Sequence, residues 1–328
     1  MREVAQQVEA QKVVALGGGH GLHASLSALR RVVDDVTAVV TVADNGGSSG
    51  RLREEFGVLP PGDLRMALAA LCGDDDWGQT WSRVLQHRFD GHGEMKGHVV
   101  GNLLIVALWD LLGEHVDGLD WVARLLGARG RVLPMATTPM DICAQVVGHD
   151  PERPEEAVSV RGQVAVATTP GRIIDIQLDP PDPEACPEAV EAIARADWVV
   201  LGPGSWYSSV IPHLKVPGLR RAIAEGDARV VVVLNLGAQD GETSGYAPED
   251  HLAALLEHVP GLQIDTVLAD PGSVPDTALL ESAVASAGAR LVLADVAVAG
   301  GGPQHDPKKL AAAYARVLGD VTGSAPWR

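Results

Sequence analysis

Lys12-Val13-Val14-Ala15-Leu16-Gly17-Gly18-Gly19-His20-Gly21-Leu22 decides the fold. A short run that is apolar on both faces passes directly into a glycine turn, and helical spacing follows at Leu22, Leu26 and Leu29. Such runs belong to buried parallel strands, and a glycine turn between strand and helix allows positive φ and close approach of a ligand to the backbone. Free N–H groups at the helix start, with the helix dipole behind them, form an anion site. The turn predicts bound phosphate, although Leu22 stands where a strict G-x-G-x-x-G pattern would have its last glycine.

Outward from this unit the same rhythm repeats. Parallel strands are expected at 12–16, 37–43, 198–201, 229–235, 266–269 and 291–294, with helices at 22–33, 187–196, 248–258, 275–287 and 307–318. The pattern predicts an α/β, Rossmann-like three-layer sandwich with a mostly parallel twisted sheet, all in one domain over 1–328. Two stretches break it: 64–126 reads as a helical insertion, and 132–178 as a small antiparallel excursion with strands at 142–147, 163–167 and 173–178. Residues 1–11 are polar and are expected to form a frayed leader.

The chain has 328 residues and a formal net charge of −17, with its acids spread along the sequence. That balance repels a duplex nucleic acid, so no nucleic-acid partner is expected. Cys72, Cys143 and Cys186 lie far apart without a C-x-x-C pair, which suits a reducing, cytoplasmic setting. No apolar run of about 18 residues exists, so no membrane span is expected. G-x-S-x-G, H-E-x-x-H and P-loop patterns are absent, which lowers the hydrolase and P-loop kinase readings.

Two further glycine turns follow strands. Asp44-Asn45-Gly46-Gly47-Ser48-Ser49-Gly50-Arg51 offers a backbone nest, hydroxyl donors, a guanidinium for phosphate and, in Asp44, a carboxylate for ribose or Mg²⁺. Gly202-Pro203-Gly204-Ser205 precedes a helix expected near Trp206, with Ser205 as its N-cap. Three such turns at strand C-termini converge on one crevice in a doubly wound sheet. Asn235 reads either a base or sugar hydroxyl or else loop backbone. His98 and Asn102, at i and i+4, either line the crevice or serve the core; His20 is a weaker contact to phosphate.

Gly17 to Gly21, the run from Val40 to Arg53 and Pro60-Pro61-Gly62-Asp63-Leu64-Arg65 together resemble the bacterial gluconeogenesis factor (YvcK) family. Gly97-His98, Gly101-Asn102, Leu201 to Ser205, Asn235, Gly241-Glu242-Thr243 and His305-Asp306-Pro307 continue the likeness over nearly the whole chain. The family is related in fold to the CofD type of 2-phospho-L-lactate transferase. The resemblance implies a ligand crevice for UDP-sugars, notably UDP-N-acetylglucosamine, and a role in cell shape and envelope precursor supply on gluconeogenic carbon sources. Two departures stand out: Asn45 where relatives often carry a second aspartate, and Gln304 where an arginine is common.

The expected function is therefore a non-catalytic nucleotide-sugar sensor, with no required cofactor beyond Mg²⁺ accompanying a diphosphate. A homo-oligomer, foremost a dimer, is the expected assembly. The alternative is a Mg²⁺-dependent transferase, with Asp44 or Asp63 holding the metal and Arg51 or Arg65 neutralising charge. A nicotinamide dehydrogenase is a third, weaker reading, resting on the first turn and Asp44 alone.

Overall fold

Residues 8–239, 241–300 and 302–320 are described in this computed structural model. The frayed leader expected at the N-terminus falls mostly outside them.

The main sheet is assembled from strands whose residues are buried almost throughout, as predicted from runs apolar on both faces, save the edge strand at 290–293, where only Val292 is buried. They are β1 (Lys12–Gly17), β2 (Asp35–Val40), β3 (Arg131–Pro134), β7 (Trp198–Leu201), β8 (Arg229–Val233), β9 (Thr266–Ala269) and β10 (Arg290–Leu293). Their order is β10-β9-β8-β7-β1-β2-β3, and every pairing is parallel. The order reverses between β1 and β7, where Val13 pairs with Trp198 and Leu16 with Leu201. This is the switch point outside which α/β proteins bind ligands.

Helical crossovers between the parallel strands put helices on both faces. One face carries α1 (Gly19–Leu29), packed between α3 (Pro61–Leu71) and the C-terminal α13 (Pro307–Gly319). The connection from β2 to β3 also holds α2 (Gly47–Phe56), which precedes the predicted helical insertion, and α4 (Asp76–Gln86), α5 (Val100–Leu112) and α6 (His115–Leu126), which lie within it. The other face carries α8 (Pro187–Ala194), α10 (Pro217–Glu225), α11 (Pro248–His258) and α12 (Thr277–Ser286). The two layers and the sheet share one apolar core. No helix among the described residues is long and apolar enough to cross a membrane.

Between β3 and β7 lies a three-stranded antiparallel sheet of β4 (Asp141–Val147), β5 (Val158–Arg161) and β6 (Arg172–Asp179), ordered β5-β4-β6. The excursion is present, with three corrections. Residues 131–134 belong to the main sheet as its parallel edge, not to the excursion. Residues 163–167 alternate Gln-Val-Ala-Val-Ala like a strand but form the short helix α7 (Gln163–Ala167), because Gly162 at φ +96° turns the chain and Asn45 caps the first turn. The second strand of the excursion is instead β5, whose residues are half-buried or exposed and give no apolar signal. Strands β2 and β8 also stop earlier than expected, at Val40 and Val233, so Thr41 to Ala43 and Asn235 lie in loops.

Candidate functional site

A cleft of about 430 Å³ opens at the C-terminal ends of β1 and β7. Its first wall is the start of α1. Gly18 is the N-cap and supplies no side-chain cap, no acidic residue stands within the first turn, and the Asp63 carboxyl accepts the Gly19 N–H from outside the helix. The remaining N–H groups there are offered to whatever fills the cleft. Gly18 and Gly21 are required for space: a Cβ on Gly18 would lie 2.5 Å from Asp63 Oδ2, and one on Gly21 would lie 2.2 Å from the Pro203 carbonyl oxygen. Two of the three glycine turns therefore touch, backbone against backbone.

The second wall is the turn after β7. Gly204 and Ser205 line the cleft, as do Ser208 and Ser209 from a π-helical turn (Trp206–Val210) that runs into α9 (Ile211–Lys215). Ser205 stands at the N-cap, but its hydroxyl makes no capping bond. The cap is the buried Glu242, whose Oε2 accepts the Tyr207 N–H at 3.0 Å. Burial raises the pKa of Glu242, opposed by bonds from Ser208 and Tyr207. A carboxylate already occupies this helix start, so phosphate would meet serine hydroxyls here and, at α1, the N–H groups beyond Gly19.

Asp44 and Asp63 form the floor. Asp44 Oδ1 accepts the Gly46 N–H at 2.8 Å. Burial, then the neighbouring Asp44 charge, push the Asp63 carboxyl up to about 7, against a bond from the Gly19 backbone. Among the described residues no group of three His, Cys, Asp or Glu is placed to hold a metal. Two carboxylates facing a phosphate turn nevertheless match Mg²⁺, which binds through one or two carboxylates plus phosphate oxygens.

The rest of the second glycine loop turns away. Ser48 is buried, its Oγ accepting from Asn102 Nδ2 at 3.1 Å and from the Val99 N–H at 3.3 Å, with His98 Nδ1 at 3.2 Å. Ser48, His98 and Asn102 are thereby a clasp between α2 and α5, behind the cleft. Burial and Arg51 lower the pKa of His98. Ser49 is buried beside Gly62, and Gly46 lies under Val164. Gly47 has φ +50° and open space before it. Arg51 donates to the carbonyls of Glu94 and Lys96, at 3.2 and 2.8 Å, which directs it outward. Arg65 is buried against Gln86, and its desolvation lowers its pKa to about 10. Asn45 Oδ1 accepts the Val164 N–H at 3.2 Å, so its side-chain amide caps α7.

Asn235 grips the third turn, accepting the Gly204 N–H at 2.9 Å and donating to the Gly204 carbonyl at 2.8 Å, which fits the loop-backbone reading. Pro203, Gly204 and Asn235 border an adjoining depression of about 280 Å³ with His20, Gly21 and His305. Gly17 ends β1, and Gly202, at φ +77°, follows the last residue of β7. The cleft thus gathers Gly18, Gly19, His20, Gly21, Asp44, Asp63, Gly204 and Ser205 from the expected set. It also takes in Gln163, Val164 and Thr168 from α7 and its end, with Ser208, Ser209 and Gln239. The α7 residues were hidden by the strand-like alternation of 163–167; Ser208 and Ser209 could have been found from their place in the first helical turn after Ser205.

The family model described as 2-phospho-L-lactate transferase CofD matches residues 13–301. A Mycobacterium tuberculosis protein, whose name includes the words gluconeogenesis factor, is 50% identical over 96% of this chain and 92% of its own. The Bacillus subtilis protein named gluconeogenesis factor is 36% identical, covering 81% of this chain and 80% of its own. A solved UPF0052 family structure from Bacillus halodurans superposes with a TM-score of 0.82 at 32% identity, covering 92% of this chain and 98% of that one. By that identity over nearly its whole length, and by the matching fold, this chain belongs to the gluconeogenesis factor family, within the CofD-type superfamily.

Proposed function

We propose that the protein binds a nucleotide sugar of the UDP-N-acetylglucosamine type and acts as a cytoplasmic regulatory protein in cell shape and envelope precursor supply on gluconeogenic carbon sources. The observation that carries this reading is the glycine start of α1, engaged only by Asp63 at Gly19, which opens with the serine-lined turn after β7 into one cleft. The α1 N–H groups take the diphosphate, and Ser205, Ser208 and Ser209 take phosphate or sugar oxygens. Asp44 and Asp63 hold Mg²⁺ when the diphosphate brings it, or face ribose hydroxyls when it does not.

Thermal-shift titration of the full chain with UDP-N-acetylglucosamine, UDP and N-acetylglucosamine, with and without Mg²⁺, tests this. A ligand specific for the folded state adds about 2.7 kcal/mol at one hundred times its Kd. A rising midpoint with the nucleotide sugar, larger than with either half, is expected; no shift at millimolar ligand rejects the reading.

One observation favours a second reading, transfer of a nucleotide-activated phosphoester group. Asp63 is held close to neutrality in its titration, opposite Asp44, which suits proton exchange with a reacting hydroxyl. Incubation with nucleotide-linked donors and Mg²⁺, followed by mass analysis, should then release a nucleoside monophosphate, and its absence removes this alternative.

A further inference from the structure

On the sheet face away from α1, a second hollow of about 300 Å³ lies between α10 and the turn that follows α11. Two local features build it. Along α10, Pro217, Arg220, Arg221 and Ala224 recur at helical spacing and share one side of the helix, with Ile223 buried next to them. Beyond α11 the chain folds back at once, the Leu262 N–H donating to the Val259 carbonyl at 3.2 Å across Pro260 and Gly261. Gly261 has φ +86°, the conformation that a proline-then-glycine turn asks of its third residue. The turn brings Val259 and Leu262 to the hollow, and Leu214 of α9 lines it as well.

The chemistry of this hollow is unlike that of the cleft at β1 and β7. Glycines, serines, carboxylates and amides line the cleft. Here the walls are aliphatic, and no hydroxyl, amide, imidazole or carboxylate side chain lines them. The polar side chains are Arg220 and Arg221, both exposed. Neither makes an ion pair or a side-chain hydrogen bond among the described residues, although the chain carries 43 acids against 26 bases. Two neighbouring guanidiniums kept clear of carboxylates, beside an aliphatic hollow, match an anion that carries its own apolar body. A sugar does not fit, since its hydroxyls would be desolvated against these walls without partners. The size is at the lower limit of small-molecule sites, which suits one short body and not the face of a helix.

We infer that this hollow is a second ligand site, for a small amphipathic acid. An aliphatic or aromatic body of about eight carbons fills the hollow, and its carboxylate is held by Arg220 and Arg221. None of its lining residues lines the cleft, so its occupancy is readable whatever the cleft binds.

Calorimetric titration of the full chain with octanoate and with 1-octanol tests this, with methyl NMR to locate the bound molecule. Octanoate should bind and shift the Ile223 and Leu262 methyl signals. Octanol, alike in body but uncharged, should bind at least about tenfold more weakly. Arg220→Glu combined with Arg221→Glu should weaken octanoate at least about tenfold and leave octanol unchanged. Ala224→Trp, at an exposed position, should fill the hollow and abolish binding of both, a check that does not depend on the charge variant. No binding of octanoate by the parent chain, equal affinities for octanoate and octanol, or octanoate binding unmoved by Ala224→Trp overturns the inference.

Discussion

Gly21 is the position where a single methyl group would be felt most. Its Cβ would sit 2.2 Å from the Pro203 carbonyl, a backbone atom that cannot swing aside. Gly21→Ala should force the first and third turns apart, lower stability by about 1–3 kcal/mol and abolish the ligand-induced thermal shift. Asp63 makes a prediction in pH. Its carboxyl titrates near 3.8 in the unfolded chain and at about 7 in the folded one, so the folded state holds an extra proton between those values. Stability from this group is full below about pH 4, falls as pH rises to about 7 and is level above, a loss of at most on the order of 4 kcal/mol. Asp63→Asn should flatten that slope and exceed the parent in stability at pH 8, as urea unfolding at pH 5 and pH 8 would show; an unchanged slope counts against it. The glycines were legible in the sequence because their neighbours along the chain declare the turn. Ser48 and Arg51 were not, since the atoms that claim them come from residues 94 to 102.

The π-helical turn after β7 shows how an element can be recognised while its fastening is missed. A helix near Trp206 follows from the strand and turn before it, yet its capping carboxylate lies 35 residues further on, at Glu242. Glu242→Ala would leave the Tyr207 N–H buried without an acceptor, costing about 1–3 kcal/mol, and would loosen Ser208 and Ser209. Glu242→Gln retains an acceptor and should stay within about 1 kcal/mol of the parent. Denaturation midpoints of the two variants, with nucleotide-sugar affinity alongside, separate a cap from a passive filler: equal losses would leave the capping role without support. For α7 the local alternation pointed to a strand, and a tertiary contact from Asn45 prevailed. Helix α11 and strand β7 matched their expected bounds residue for residue, because their apolar spacing agrees with the surfaces they cover.

Across the assembled chain, the acids outnumber the bases by enough to make self-repulsion a general term. Raising NaCl from about 20 to about 200 mM shortens the screening length from roughly 20 to roughly 7 Å. The melting midpoint should rise by about 2–4 °C in consequence, whereas a fall would mean that specific ion pairs outweigh the net charge. The layered α/β architecture was legible from strand periodicity alone; the edge position of β3 was not, because a four-residue strand leaves too short a run to assign to one sheet or another. The pairing of β1 with β7 has a consequence for synthesis. The first glycine turn leaves the ribosome when its opposing wall, some 180 residues downstream, does not yet exist. A nascent chain that stops short of Trp198 carries a phosphate turn without a cleft, so ligand acts only on a sheet already closed. On the proposed function, a bound nucleotide sugar should therefore slow the unfolding of finished molecules and leave the early steps of their folding untouched.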